Sequence, residues 1–304
     1  MLRNGLVHTL WKIISVIIYN VSSSVIGGSL KFSIITATLN SENTIKNTLE
    51  SVISQDFPEL EYIVVDGNST DGTLDIIREY ETIVSHLISE PDCGIGDAFN
   101  KGIRLAHGEF IGIVSGDDYL LPGALKEVER AAHQNPDTDV IYGNAVVIDG
   151  QNQHQFIVRP DPDFSHIWQR QPLKHAATFV RRSAYQRYGL FDLGYRCAMD
   201  YELILRFYLR GARFVYVDYP LAAFRSGGTS NRNMLKTFQE VRDISICYGR
   251  NPILAYLTYF TKLRLYILKR LFYQPAFMNL INLYRYRSNR FTEYNSQSID
   301  KDNV

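Results

Sequence analysis

Between residues 31 and 150 the apolar positions alternate between two spacings. Lys31–Thr38 (KFSIITAT), Leu60–Val65 (LEYIVV), Phe110–Val114 (FIGIV) and Val140–Val147 (VIYGNAVV) are short, β-branched runs with little polarity. Such runs predict buried strands, and Val84–Ser89 reads as a weaker one. Between them the apolar residues recur at helical spacing: Ile45, Leu49, Val52 and Ile53; Leu74, Ile76, Ile77 and Tyr80; Ala98 to Ala106; Leu125, Val128, Ala131 and Ala132. Ser41 or Asn43 is placed to cap the first helix, with Glu42 in its first turn. Strand and helix in alternation predict an α/β fold with a doubly wound, mostly parallel sheet.

Polar loops follow the strands at Asn40–Glu42, Asp66–Asp71, Asp92–Asp97 and Asp117–Asp118. In an open α/β sheet the ligand binds off the carboxyl ends of the strands, so these loops mark the expected site. Asp117 and Asp118 are adjacent carboxylates at the tip of a buried strand. To stay ionised they need a cation, hydrogen-bond donors or full solvation. Hard oxygen ligands suit Mg²⁺ or Mn²⁺. Taken alone, Ser115-Gly116-Asp117-Asp118 is equally an exposed turn.

The second half is mixed. Strands are expected at Ile157–Pro160, Lys174–Val180, Phe214–Val217 and Leu221–Phe224, and helices at Ser183–Tyr188 and Leu203–Leu209. Asp200 precedes the latter helix, where it reads as an N-cap or as a functional carboxylate. His175 opens an apolar strand, as a ligand contact or as a satisfied core histidine.

Charge and composition change this picture little. Lys+Arg and Asp+Glu are each 32, so no charge excess points to nucleic acid. Three scattered cysteines match no disulfide or zinc spacing. Residues 1–30 hold an apolar segment interrupted by His8 and Lys12, too short to span a bilayer and suited to an interfacial helix or a packed appendage. Residues 231–290 read as a basic amphipathic helical extension, with no acidic residue between Arg250 and Arg290. That texture suits an anionic membrane surface, or else an arm packed on the domain or on a second subunit. Residues 291–304 are expected to be a disordered tail, and nothing in the sequence sets an oligomeric state.

Taken in order, the motifs resemble family 2 glycosyltransferases of the GT-A fold, the inverting enzymes that build bacterial surface polysaccharides. The carriers are Ser33-Ile34-Ile35-Thr36-Ala37-Thr38-Leu39-Asn40, then Glu61-Tyr62-Ile63-Val64-Val65-Asp66-Gly67-Asn68-Ser69-Thr70-Asp71-Gly72-Thr73, then Asp92-Cys93-Gly94-Ile95-Gly96-Asp97-Ala98-Phe99-Asn100-Lys101-Gly102. Ser115-Gly116-Asp117-Asp118 stands in the place of the Asp-x-Asp motif. The resemblance covers residues 31–230 and implies a Rossmann-like nucleotide-sugar half over 31–120 and a mixed acceptor half over 121–230. It implies that Asp66 accepts from the nucleotide base, uracil, while Thr38 and Glu42 line the base and ribose pocket. Asp97 and Lys101 would lie near the ribose, diphosphate or donor sugar, with Asp117 on the ribose or sugar. Asp118 would bind the divalent cation, and Asp200 would be the catalytic base, with Glu202 as its alternative. Ala37 and Leu39 depart from the family, where Pro and Tyr are commoner. The Gln-x-x-Arg-Trp motif of processive members is absent, which favours single addition.

The implied function is transfer of a hexose-type sugar from a UDP-sugar to a hydroxyl of a glycan or lipid-linked acceptor. The implied setting is the cytoplasmic face of the inner membrane, as a peripheral protein. The alternatives are a nucleotidyltransferase and a non-catalytic nucleotide-sugar-binding subunit. The first wants a Gly-rich basic loop early in the chain, which Thr38-Leu39-Asn40-Ser41-Glu42 does not supply.

Overall fold

A computed structural model describes residues 31–148, 155–225, 233–271 and 291–293. The first half runs β1 (Phe32–Thr38), α1 (Ile45–Ile53), β2 (Leu60–Asp66), α2 (Thr73–Arg78), β3 (His86–Ser89), α3 (Ile95–Leu105) and β4 (Phe110–Ser115). The second half runs β5 (Tyr119–Leu120), α4 (Ala124–Gln134), β6 (Val140–Ile148), β7 (Gln155–Val158), β8 (Thr178–Arg181), α5 (Arg182–Tyr188), α6 (Met199–Leu209) and β9 (Phe214–Arg225). It closes with α7 (Met234–Cys247), α8 (Pro252–Leu271) and β10 (Phe291–Glu293). The strands form one 10-stranded sheet with the path β10-β7-β6-β8-β4-β1-β2-β3, while β9 pairs with β5 and β6. β3, β2, β1 and β4 are mutually parallel, and β8 is inserted antiparallel between β4 and β6. The fold is therefore the expected α/β one, parallel in its first half and mixed in its second.

Alternation along the parallel strands explains the two apolar layers. Phe32, Ile34, Tyr62 and Val64 face the layer that holds Leu49, Val52 and Val128 from α1 and α4. Ile35, Ala37, Ile63 and Val65 face the opposite layer with Phe99, Ile103 and Phe207 from α3 and α6. Each buried Ile, Val, Leu or Phe stabilises the fold by about 1.5–3 kcal/mol. α3 lies close on β1 because position 102 is glycine: a Cβ there would sit 2.5 Å from Ile35 Cγ2.

Several boundaries differ from expectation. α1 starts at Ile45 without a side-chain cap, and the Ser41 carbonyl accepts the Thr44 and Ile45 N–H groups instead. Lys174–Val180 is not one strand: His175–Ala177 is a 3₁₀ turn and only then does β8 begin. α6 starts at Met199, so Asp200 lies inside its first turn rather than ahead of it. β9 is a single strand whose register with β6 shifts beside Asn144, opposite Pro220, a residue with no N–H to donate.

The expected boundary near 230 does not separate α7 from the domain: Ile244 and Ser245 are buried, and Ser245 Oγ is 3.0 Å from Tyr201 Oη on α6. Phe291–Glu293 pair antiparallel with β7, so the expected disordered tail does not include them. Residues 1–30, 272–290 and 294–304, for which an interfacial segment, the end of the extension and the rest of the tail are expected, lie outside the described residues.

Candidate functional site

The carboxyl ends of β1 and β4, with the loop that enters α3, border a cleft of about 780 Å³. Its walls include Thr38, Asn40, Asp97 and Asp117, and Arg196 and Met199 face them from the second half. The loop after β4 can lie against β1 because position 116 is glycine: a Cβ would stand 2.5 Å from Thr38 Oγ1. Local polar bonds join the loops after β1 and β2. Thr70 N–H donates to Asn40 Oδ1 (2.9 Å), and Gly72 N–H donates to Glu42 Oε2 (2.9 Å).

The predicted donor residues fall into two sets. Thr38, Asp97 and Asp117 line the cleft. Asp66, Glu42 and Lys101 do not. Asp66 is fully buried, and its carboxylate accepts from Ser69 N–H (3.0 Å), Ser69 Oγ and Ser89 Oγ (2.8 Å). These bonds tie the Asp66 carboxylate to the turn that follows β2 and to β3. Glu42 is exposed on the rim, its carboxylate spent on Gly72. Lys101 reaches Glu90 (2.8 Å), Asp97 (3.6 Å) and the Pro91 carbonyl (3.2 Å), bracing the loop before α3.

Asp118 is only 5 % exposed. Burial, and then the Asp117 charge beside it, push its carboxyl up to about 7, against the opposing pull of His175 and Arg225. The Arg225 backbone N–H donates to Asp118 Oδ1 (3.3 Å), and Thr48 Oγ1 donates to the Asp118 carbonyl (2.7 Å). A buried carboxyl with a second carboxylate next to it and few donors on it is a place where a divalent cation relieves the charge. The donor set therefore fits Mg²⁺ or Mn²⁺.

Asp200 arrives from the second half. Its Oδ2 lies 3.2 Å from His175 Nδ1. Burial would raise this carboxyl, but the His175 charge and hydrogen bond, with Lys174, outweigh burial and hold it below the usual range. Burial likewise pulls His175 down, yet Asp200 beside it and the charge of Asp118 carry it up to about 9. One imidazolium thus interacts with both carboxylates.

Asp200 is not the cap of α6. The Glu240 carboxylate of α7 accepts the N–H groups of Arg196 (3.2 Å), Cys197 (2.7 Å) and Ala198 (2.8 Å), closing the helix start from outside. Glu202, the alternative base, is 1 % exposed and tied to Arg206 (2.8 Å) and Tyr248 Oη, so it has no access to a substrate. Arg206 in turn donates to the Tyr188 and Leu190 carbonyls, anchoring α6.

Among the described residues, the buried side-chain polar atoms with no partner are Thr38 Oγ1, His175 Nε2, Asp200 Oδ1 and Arg225 Nε. Thr38 lines the cleft, His175 and Asp200 line a separate, smaller pocket with Thr178, Tyr185 and Phe191, and Arg225 acts on Asp118. Buried polar atoms are nearly always paired in folded proteins, and the exceptions concentrate where a ligand completes them. Sequence reasoning gave His175 too little weight and passed over Glu240. His175 had a weak signal, a polar Lys174-His175 pair opening an apolar run; Glu240 had none.

Comparison with known proteins places the chain in a family and identifies its fold. The family model described as Glycosyl transferase family 2 matches residues 33–194. A PGL/p-HBAD biosynthesis glycosyltransferase of Mycobacterium bovis is 29% identical over 215 residues, covering 68% of this chain and 82% of that protein. The fold matches crystalline S. aureus TarS 1-349 in complex with UDP-GlcNAc at TM-score 0.58 and 22% identity, over 76% of this chain and 70% of that one. It also matches the mannosyltransferase PcManGT from Pyrobaculum calidifontis, in complex with GDP-Man and Mn2+, at TM-score 0.54 and 19% identity, over 84% and 79% of the two chains.

Proposed function

The chain belongs to glycosyl transferase family 2, and from that premise we propose that it is an inverting, metal-dependent enzyme that transfers a single sugar from a UDP-sugar. The acceptor is a hydroxyl of a glycan or lipid-linked molecule, in surface-polysaccharide synthesis. The observation that carries this reading is the set of unpartnered buried polar atoms on Asp200, His175 and Arg225, beside two carboxylates, Asp118 and Asp200, that interact with one imidazolium. The fold's TarS neighbour binds UDP-GlcNAc, which supports a uridine nucleotide here.

Each residue then has a task. Thr38, Asp97 and Asp117 face the bound donor, while Asp66, Glu42 and Lys101 hold the loops that shape its pocket. Asp118, with Asp117 beside it, would hold Mg²⁺ or Mn²⁺; when bound, the cation supplies positive charge to the departing diphosphate. Asp200 accepts the proton of the acceptor hydroxyl at Oδ1, while His175 keeps Oδ2 in place. The hydroxyl oxygen then attacks the anomeric carbon from the face opposite the diphosphate, the carbon–diphosphate bond breaks, and UDP leaves with inversion. The test is transfer from a panel of UDP-sugars to glycan and lipid-linked acceptors with Mn²⁺ or Mg²⁺, the product's anomeric configuration being read by NMR. Inversion is expected; a retained configuration would overturn the mechanism.

α8 supports a place at a membrane surface. It exposes Ile253 (71%), Leu257 (58%), Phe260 (58%) and Leu265 (61%), with the exposed Arg264 and Arg270 among them and no acidic residue. No helix among the described residues is long and apolar enough to cross a membrane. Apolar and basic side chains together fit an anionic interface, and the reading is a peripheral enzyme on the cytoplasmic face of the inner membrane. Sedimentation with anionic but not zwitterionic vesicles is expected, and loss of it in a Leu257→Asp/Phe260→Asp variant. Equal sedimentation with both vesicle types would argue against it.

A further inference from the structure

At the end of the sheet away from the cleft, two histidines converge on one glutamate. Glu61 is the second residue of β2, His86 the first of β3, and His107 lies in the connection from α3 to β4. Along β2, Glu61 is separated from Asp66 and the cleft by roughly 16 Å of extended chain. One ligand atom from each of the three side chains lies within 4.8 Å of the others. Glu61 Oε1 is 3.0 Å from His107 Nδ1 and 3.7 Å from His86 Nε2. In a tetrahedral zinc centre with bonds of about 2.0–2.1 Å, ligand atoms stand roughly 3.4 Å apart. These two separations bracket that value, and the third pair lies within 4.8 Å.

The glutamate is also oriented as a ligand carboxylate is. Its Oε2 accepts from Ser33 Oγ and from the His107 backbone N–H (2.8 Å), and Ser33 Oγ accepts from Gly108 N–H (2.8 Å). Those bonds occupy one oxygen and aim the other at both imidazoles, the outer-shell arrangement that fixes a metal-binding carboxylate. Both histidines are exposed, so the position is reachable and leaves room for water as a further ligand. Two imidazoles and one carboxylate favour a borderline cation such as Zn²⁺ over the hard Mg²⁺ or Mn²⁺ suited to Asp118.

We propose that Glu61, His86 and His107 form a binding site for a Zn²⁺-class cation, distinct from the donor cleft, which ties the edge strand β3 to the entry of β4. Untagged, metal-stripped protein is dialysed against Zn²⁺, and the wild type is compared with a His86→Ala/His107→Ala variant. The wild type is expected to retain one more equivalent than the variant. Co²⁺ should give a visible ligand-field band in the wild type alone, and Zn²⁺ should raise the melting temperature of the wild type only. Equal stoichiometry in the two proteins overturns the proposal. Because the readout is a difference, a cation held at Asp118 cancels, and failure of the cleft assignment leaves the result intact. Sugar transfer by the variant is expected at the wild-type rate.

Discussion

On the donor side of the cleft, side chains that meet come from short stretches at neighbouring strand ends. Asn40 receives Thr70, Glu42 receives Gly72, Asp71 receives Thr73 and Asp66 receives Ser69. On the acceptor side almost nothing is local. Asp200 is placed by a helix whose start is closed by Glu240 of α7, whose far end is held to the Tyr188–Leu190 turn by Arg206, and whose carboxylate meets His175 from the turn before β8. The donor side is a set of neighbouring loops, each with its own turn chemistry. The acceptor side is a single coupled assembly, so damage there should spread from chemistry to stability.

Asp200→Asn tests the division most strongly. A fall of about 10²–10⁴ in kcat is expected with UDP-sugar affinity unchanged, read from steady-state kinetics and calorimetry. A matching loss of donor affinity would mean that the two sides are not separable.

Glu240→Ala comes next. It leaves the buried Cys197 and Ala198 N–H groups without an acceptor, at a cost of about 1–3 kcal/mol. It should lower both the melting temperature and kcat, since α6 carries Asp200. Glu42→Ala, on the exposed rim, should cost no more than about 1 kcal/mol and act on donor KM. Equal effects of the two substitutions would erase the contrast.

The pH dependence sharpens it further. In the proposed mechanism protons and a divalent cation compete for Asp118, whose carboxyl is pushed up to about 7. The rise in melting temperature produced by Mn²⁺ should be full at alkaline pH and fade as pH falls through about 7. A flat profile across that range would remove Asp118 as the ligand.

A second pH test concerns His175. Its folded value of about 9 stands above the ordinary 6.5. Its stabilising contribution is therefore complete below about 6.5, while Asp200 stays ionised, and is lost as pH rises through about 9. The melting-temperature gap between wild type and His175→Gln should close over that window. A gap that persists unchanged above it would assign His175 a packing role only.

These contrasts also explain what could be read in advance. The strand at Phe110, the turn after Asp66 and the adjacent Asp117–Asp118 pair were legible because period-2 alternation and turn chemistry act within a few residues. For Lys101 and Asp66 the chain places the residue, while the partners each side chain meets, Glu90 for one and Ser69 and Ser89 for the other, are set by which groups lie nearby in space. Asp200 looked like a helix cap because a capping residue and a first-turn residue differ by only two positions; Glu240, supplied by a later helix, settled which it is. Of the settings the sequence leaves open for the extension, α7 takes the one packed on the domain, with Ser245 meeting Tyr201 of α6.

By itself, the chain determined the order of strands and helices, the two apolar faces of the sheet and the carboxyl edge on which a site must lie, because these follow from local spacing and burial preference. Only the tertiary structure decided which carboxylate is saturated, which is buried and pushed up, and which meets a histidine. Desolvation and charge pairing act through space, and of the groups that set them at Asp118 and Asp200, Arg225, His175 and Lys174 are brought there by packing and not by sequence proximity.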